Sequence, residues 1–581
     1  MSLTILGIGC YYHDSSAVLI KDGNVVAAAQ EERFSRKKHD VSFPKEAIEF
    51  CLKSRDLTIE DVDHVAFYEK PLLKFDRFIS QVLDGFPKTT KLFLKNTPSW
   101  FTKKLRLSKV LKKEIGYKGD IFYVPHHLSH AANSFLMSPF KQAAIVNIDG
   151  VGEWATTTYG VGNGKDIDLK KQINFPDSLG LLYSTITAYL GFRVNNSEYK
   201  VMGLSPYGKM DRKENRYYSK LKKVIDLNED GSFEMDMDYF DYHYKERMPS
   251  KKMTVLLEGP VRKFDSELTQ RHKDIAAALQ MIYEDALFNI LNFVQEETGL
   301  SKLVLGGGNA LNSVANGKIL KKTKFDDFWI PPAPGDGGSA MGAAAYSYSC
   351  ILNRERVKEF KNPFLGPGYA DEDIKYFLDK HNINYTRLKR DEKIDKASQM
   401  IADGRVIAWF DGRMEWGPRA LGARSILCDP TNPKMKEVLN KKVKHRESFR
   451  PFAPVVCMED VDKFFELEDP PVPSEYMLGV YQVKKEKRSE IPSVVHVNGS
   501  GRLQALRREV NPDYYDLVKK FGELSGTPVL INTSFNIRGE PIVCSPFDAY
   551  KCMMGTGIDS LFMGSFLINR SENPRDIWNS D

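Results

Sequence analysis

LTILGIG (3–9), YYHDSS (11–16) and AVLIKDGNVVAAAQ (17–30) form the stretch whose reading decides the fold. It reads as an apolar strand, a polar loop and a hairpin, with Asp22-Gly23 as the turn, because Asp-Gly tolerates the backbone twist of a tight hairpin. The same order returns in AAIVNIDG (143–150) and ATTTYGVGNG (155–164), separated by a Gly-containing turn. Two copies of strand, acidic loop and hairpin predict a duplicated lobe. KLVLGGGN (302–309) is a further apolar strand running into three glycines, with a helix expected from near Ala310.

A duplicated lobe of this kind is the plan of actin-like, Hsp70-like and sugar-kinase (ASKHA) ATPases, so the expected fold class is α/β with such a domain first. Residues 350 to 395, with Asn362-Pro363 and Gly366-Pro367-Gly368, read as a connector. The boundary is set near residue 360, giving domains 1–360 and 361–581. Within the first, a basic and aromatic helical insertion spans about 70–120, including KLFLKNTPSWFTKKLRLSKVLKKE (91–114). A cationic amphipathic helix can bind a membrane or an acidic partner, but the expectation here is a solvated helix with its apolar side packed inward.

The totals are those of an ordinary globular protein: 581 residues, 42% hydrophobic and 28% charged, with 83 basic against 77 acidic residues for a net charge of +6. That balance admits small anionic substrates and argues for neither nucleic-acid nor membrane partners. Seven scattered cysteines without a Cys-x-x-Cys pair point to a reducing compartment and away from a zinc ribbon. No basic segment precedes an apolar one at the start, and no run of about 18 apolar residues occurs, so a cytoplasmic location is expected.

Four side chains carry metal-type chemistry. His126 and His130 in PHHLSHAANSF lie four apart on an expected helix with Pro125 at its first position, which puts both imidazoles on one face. Asp149 ends an apolar strand, and Asp336 lies among glycines just before a small-residue helix expected over 339 to 348. Two imidazoles and two carboxylates suit Fe(II), Zn(II) or Mn(II), and residue type alone does not choose. Gly306, Gly307, Gly308 and Asn309 are candidates for cradling phosphates with backbone amides. Downstream, residues 405 to 456 hold Arg413, Glu415, Arg419, Arg424 and Ser425 in a Gly-bounded loop, then a helix ending in Lys441, Lys444, His445 and Arg446, then Arg450. Guanidinium forks match phosphate oxygens in pairs, so this reads as a phosphate or phosphoanhydride site. VLINTSFNIRGEPIV adds Ser534, Asn536 and Arg538 at a strand end.

Nine strings in order, YHDSSA (12–17), HHLSH (126–130), DGVGEW (149–154), EYKVMGL (198–204), GGGNALN (306–312), PGDGGSA (334–340), WGPRALGARSI (416–426), FRPFAP (449–454) and NTSFN (532–536), resemble the O-carbamoyltransferase family of the nodulation-factor, tobramycin and cephamycin enzymes. The resemblance implies a transferase domain related to the tRNA threonylcarbamoyl enzymes, followed by a YrdC-like domain. It implies that the second domain uses ATP, with Mg, to turn carbamoyl phosphate into carbamoyl adenylate. The first then passes the carbamoyl group to a hydroxyl of a small molecule. By motif position it implies His126, His130, Asp149 and Asp336 as ligands of an Fe(II), Mn or Zn ion and His13 as the base. Arg419, Arg424, Ser425, Lys444, Arg450, Arg502, Ser534 and Asn536 fall at the carbamoyl phosphate and ATP site. Tyr12 and Ser197 are candidate acceptor contacts. Two other readings are transfer to tRNA or a protein and a non-catalytic actin-like nucleotide-binding protein. Transfer to tRNA is disfavoured by the near-neutral charge and transfer to a protein thiol by the lack of an acylphosphatase domain and zinc-finger cysteines, and the second leaves the metal-type side chains and the arginines without a use.

Overall fold

The structure is a computed structural model that describes residues 2–573 apart from Lys103 and Glu246, so Lys103 of the insertion lies outside the described residues. The chain divides into two compact units, Met1–Val26 with Phe43–Glu359, and Ala27–Ser42 with Phe360–Asp581. Both are α/β.

The first unit holds two five-stranded sheets of identical plan. In one, β1 (Thr4–Gly9) is antiparallel to β2 (Ser16–Lys21) and parallel to β4 (His64–Phe67), which is parallel to β5 (Ile121–Tyr123); β3 (Asn24–Gln30) lies beyond β2. In the other, β6 (Gln142–Ile148) is antiparallel to β7 (Ala155–Asn163), which pairs with β8 (Asp166–Asn174). Strand Lys302–Gly306 is parallel to β6, and Asp327–Trp329 is parallel to Lys302–Gly306. The repeated order is the duplicated lobe that the strand, loop and hairpin pattern predicts. β1 and β6 are apolar almost throughout because both faces of each sheet are covered, which replaces alternation with continuous burial.

Two helices lie at the centre of this unit. His126–Phe135 is buried almost end to end, and Asp336–Tyr346 packs along it. The small residues of DGGSAMGAAAY have a packing cause: a Cβ on Gly342 would overlap the Ser129 carbonyl of the partner helix. Two expected boundaries move. Pro125 is the N-cap, with the helix starting at His126, and the small-residue helix starts at Asp336, so that carboxylate sits on the first helical turn. The first N–H groups of a helix have no intrahelical acceptor, so a negative charge there complements the helix dipole.

The insertion forms helices Pro71–Asp84, Thr90–Thr102 and Leu107–Ile115. In the second unit an eight-stranded sheet runs in the order Thr386–Arg387, Phe566–Asn569, Ser560–Met563, Ile407–Phe410, Arg424–Cys428, Val529–Ser534, Ala453–Cys457, Gln504–Leu506. Alternate residues serve separate cores on its faces, Ala408 and Phe410 one, Ile407 and Trp409 the other. The piece Ala27–Ser42 is tied in by Arg36, which donates to the carbonyls of Ile542 (2.7 Å) and Pro541 (2.9 Å), and by Phe34 against Met414, Ala420, Ile542 and Cys544. No helix of the described residues is long and apolar enough to cross a membrane.

Candidate functional site

Helix 126–135 aims two imidazoles at two carboxylates. His126 Nε2 lies 3.2 Å from Asp149 Oδ2 and 3.5 Å from Asp336 Oδ1, while His130 Nε2 lies 3.8 and 3.5 Å from the same two oxygens. The two Nε2 atoms are 3.0 Å apart. Metal bonds of about 2.0–2.2 Å give a coordination shell edges of about 3–3.5 Å, so these separations match one ion's ligand shell. Both Asp336 oxygens are buried without a hydrogen-bond partner, a costly arrangement unless something else satisfies them. The four side chains therefore can hold a divalent metal.

Each of the four side chains is placed by its neighbours. Asp149 Oδ1 accepts from the Gly308 amide (2.9 Å), and its own amide donates to the Thr156 carbonyl. His130 Nδ1 lies 3.4 Å from Ser339 Oγ. Glu153, which the sequence reading passed over inside DGVGEW, accepts the His126 amide with both oxygens (3.0 Å each) and the Lys70 amide (2.7 Å). It thereby caps the helix that carries the imidazoles. His127 points elsewhere, its Nδ1 3.1 Å from Thr158 Oγ1, and burial pushes its pKa down to about 3.

His13 joins this cluster from the loop between β1 and β2, where Tyr11 and Asp14 take left-handed backbone (φ 72° and 53°). Its Nδ1 is 2.9 Å from Asp14 Oδ2 and its Nε2 3.4 Å from Asp336 Oδ2. Burial works against its charged form, yet the Asp336 and Asp14 carboxylates prevail and push its pKa up to about 9. Burial likewise opposes charge on Asp336 and His126, and again the mutual attraction wins: Asp336 is held far below the carboxylate range and His126 well above the imidazole range. Tyr12 is 39% exposed, its ring 4.7 Å from that of His13 and 5.0 Å from Lys74 Nζ. Ser197 is buried at the N-cap of helix Glu198–Leu204, its amide donating to Glu198 Oε2.

The glycine turn differs from expectation. Gly306 ends the strand, and Gly308–Leu311 is a single 3₁₀ turn rather than the start of a helix from Ala310. Gly307 sits at φ 86°, its amide donating to the Pro334 carbonyl, and Asn309 lends its carbonyl to the Tyr283 hydroxyl. Two of these amides are thus used inside the protein, one of them on the ligand Asp149.

In the second unit Lys444, Ser534 and Asn536 converge. Lys444 Nζ donates to Asn536 Oδ1 and carbonyl (3.0 Å each) and to the Ser534 carbonyl, and Ser534 Oγ donates to Asn536 Oδ1 (2.7 Å). Burial, with Arg446 and Arg450 nearby, holds the Lys444 ammonium well below the usual lysine range. Ser425 faces Ser534 across the ladder. Arg424 departs from the phosphate-binding expectation: it is fully buried, stacks on Phe410 at 3.6 Å, and donates to the carbonyls of Asp411, Gly412, Ala423 and Pro367. Glu415 braces the same loop by accepting the amides of Leu421, Ala423 and Arg424. Arg419, Arg450 and Arg502 are half-buried.

Against protein families, residues 4–345 match the carbamoyltransferase N-terminus and residues 398–570 the carbamoyltransferase C-terminus. The chain belongs to the carbamoyltransferase family. As a carbamoyltransferase it is an enzyme that transfers the carbamoyl group. It is 44% identical to "Uncharacterized protein sll1178" of Synechocystis sp., over 98% of this chain and 97% of that one. It is 38% identical to nodulation protein NolNO of Sinorhizobium fredii, over 97% of this carbamoyltransferase and 80% of the relative. Nodulation protein NolO of Bradyrhizobium diazoefficiens is 36% identical over 78% and 80%.

Proposed function

We propose that this carbamoyltransferase is an ATP-dependent O-carbamoyltransferase acting on a hydroxyl of a small molecule. The observation that carries the reading is the pair of unpartnered Asp336 oxygens facing two imidazoles, with a third imidazole, His13, at their edge. Activation is assigned to the second unit. There carbamoyl phosphate, ATP and a water give carbamoyl adenylate, pyrophosphate and inorganic phosphate. Lys444, Ser425, Ser534 and Asn536 bind the carbamoyl and phosphate oxygens, with Arg419, Arg450 and Arg502 supplying further positive charge. Arg424 keeps the loop in shape through its two terminal nitrogens, which donate to four carbonyls, while its Nε is buried without a partner.

Transfer is assigned to the first unit, where His126, His130, Asp149 and Asp336 would hold an Fe(II), Mn or Zn ion. Such an ion supplies a Lewis acid for the carbamoyl carbonyl. With the Asp336 charge offset by a bound cation, the cause of the raised His13 pKa is removed, so a neutral His13 would keep its Nδ1–H on Asp14 and take the acceptor's hydroxyl proton at Nε2. The acceptor oxygen bonds to the carbamoyl carbon, the carbon–oxygen bond to the phosphate breaks, and AMP leaves. Gly306, Gly307, Gly308 and Asn309 line the backbone next to Asp149, a position suited to the AMP phosphate. Tyr12, partly exposed beside His13, and Ser197 are offered as acceptor contacts.

The test is to incubate the protein with ATP and carbamoyl phosphate and follow pyrophosphate and carbamoyl adenylate by chromatography and mass spectrometry. Unaltered protein and His126→Ala should both form the adenylate, and Lys444→Ala should not. Nucleotide binding without pyrophosphate release from the unaltered protein would overturn the reading.

A further inference from the structure

The helical insertion carries a face that neither unit's chemistry uses. Residues 70–118 contain thirteen Lys or Arg against three Asp or Glu, a net charge of +10 in a chain whose total is +6, so the remainder is net negative. Its apolar residues divide into two sets. One set packs inward: the rings of Phe75, Phe78, Phe93 and Trp100 meet at centroid distances of 5.3 to 6.3 Å. The other set faces water, with Phe101 at its border, since that ring also meets Phe75 edge-on at 6.0 Å. Among the described side chains of helix Thr90–Thr102 the exposed positions are Thr90, Lys91, Leu94, Lys95, Pro98 and Phe101, and from Lys91 on they are spaced three and four apart along one side. The approach to that helix adds Leu83, Phe86 and Lys88. Leu83 is 69% exposed, Phe86 71%, Leu94 67% and Phe101 57%, values that single scattered side chains show but that are unusual for four within one hairpin.

The solvated-helix expectation explains the inward set and leaves the outward one without a cause. Lysines interleaved with protruding leucine and phenylalanine tips form a surface that can place cations at phosphate level and apolar tips among acyl chains. A second copy meeting the same face would set Lys88, Lys91 and Lys95 against the same three lysines, which opposes it. We propose that the outward face of helix Thr90–Thr102 and the turn before it dock this protein on an anionic phospholipid surface. The charge excess on the insertion, set against a net-negative remainder, orients the molecule insertion-first.

The experiment is co-sedimentation of the full chain with vesicles of phosphatidylglycerol and phosphatidylcholine in equal parts, and with phosphatidylcholine alone, at about 0.15 M salt. Binding should be at least about tenfold tighter on the mixed vesicles, and raising salt to about 1 M should release it. Lys88→Gln, Lys91→Gln and Lys95→Gln together should weaken binding by about a hundredfold, at about fivefold per lysine. Leu94→Gln with Phe101→Gln should weaken it by about tenfold or more. These side chains are exposed, and melting temperature checks that each variant is folded; the salt and lipid arms need no variant. Absence of binding to the mixed vesicles, equal binding to both lipids, or binding that survives high salt and both variants overturns the proposal. So does a dimer in solution that the same substitutions dissolve while lipid binding is absent.

Discussion

Asp336 concentrates the chemistry of the first unit in one side chain: both oxygens are buried, neither has a hydrogen-bond partner, and three imidazoles surround it. Asp336→Asn keeps the shape and removes the charge, so Mn(II) or Zn(II) binding measured by calorimetry should fall more than about tenfold. Unchanged metal affinity would mean that the cluster is an internal ion-pair network only. Glu153 is a different kind of residue, since it acts through the backbone. Glu153→Ala strands the amides of His126 and Lys70 and should cost about 1–3 kcal/mol, read as a lowered melting temperature. Glu153→Gln, which still accepts hydrogen bonds, should recover most of it. The sequence reading singled out the four side chains that the structure brings together because His-x-x-x-His and Asp beside glycine are chemically loud. It passed over Glu153 because a carboxylate whose partners are amides far away in the chain leaves no local pattern.

At the scale of elements, the two buried helices decide the geometry. His126–Phe135 and Asp336–Tyr346 approach closely only because Gly342 presents no Cβ to the Ser129 carbonyl. Gly342→Val should push the helices apart and destabilise the first unit by about 1–3 kcal/mol. Metal affinity should fall with it, because His130 and Asp336 ride on different helices of the pair. A variant with normal melting and normal metal content would refute this coupling. The 3₁₀ turn at Gly308–Leu311 shows where pattern reading stops. Strand-then-glycines is equally compatible with a helix or with a turn that spends its amides on Pro334 and Asp149, and only the neighbours choose. Arg424 teaches the same thing: arginines beside glycines suggest phosphate, yet this one is spent on four carbonyls.

Across the whole molecule, the piece Ala27–Ser42 belongs to the second unit although more than three hundred residues separate it from Phe360. A fragment of residues 361–581 lacks Arg36 for the carbonyls of Pro541 and Ile542, and lacks Phe34 for the cluster around Met414. It should therefore melt below the full chain, and a peptide of residues 27–42 should raise its melting temperature. A fragment as stable as the full chain would show the piece to be dispensable.

The sequence by itself determined the α/β class, the duplicated lobe and the carbamoyl-transfer chemistry, because strand–loop–hairpin order and strings such as HHLSH and PGDGGSA are local and survive without knowledge of contacts. Tertiary structure alone decided which charges neutralise one another, which arginine is spent on carbonyls, where Ala27–Ser42 packs, and that the insertion keeps an apolar face outward. Each of these depends on burial and on partners distant in the chain, and a one-dimensional pattern carries neither.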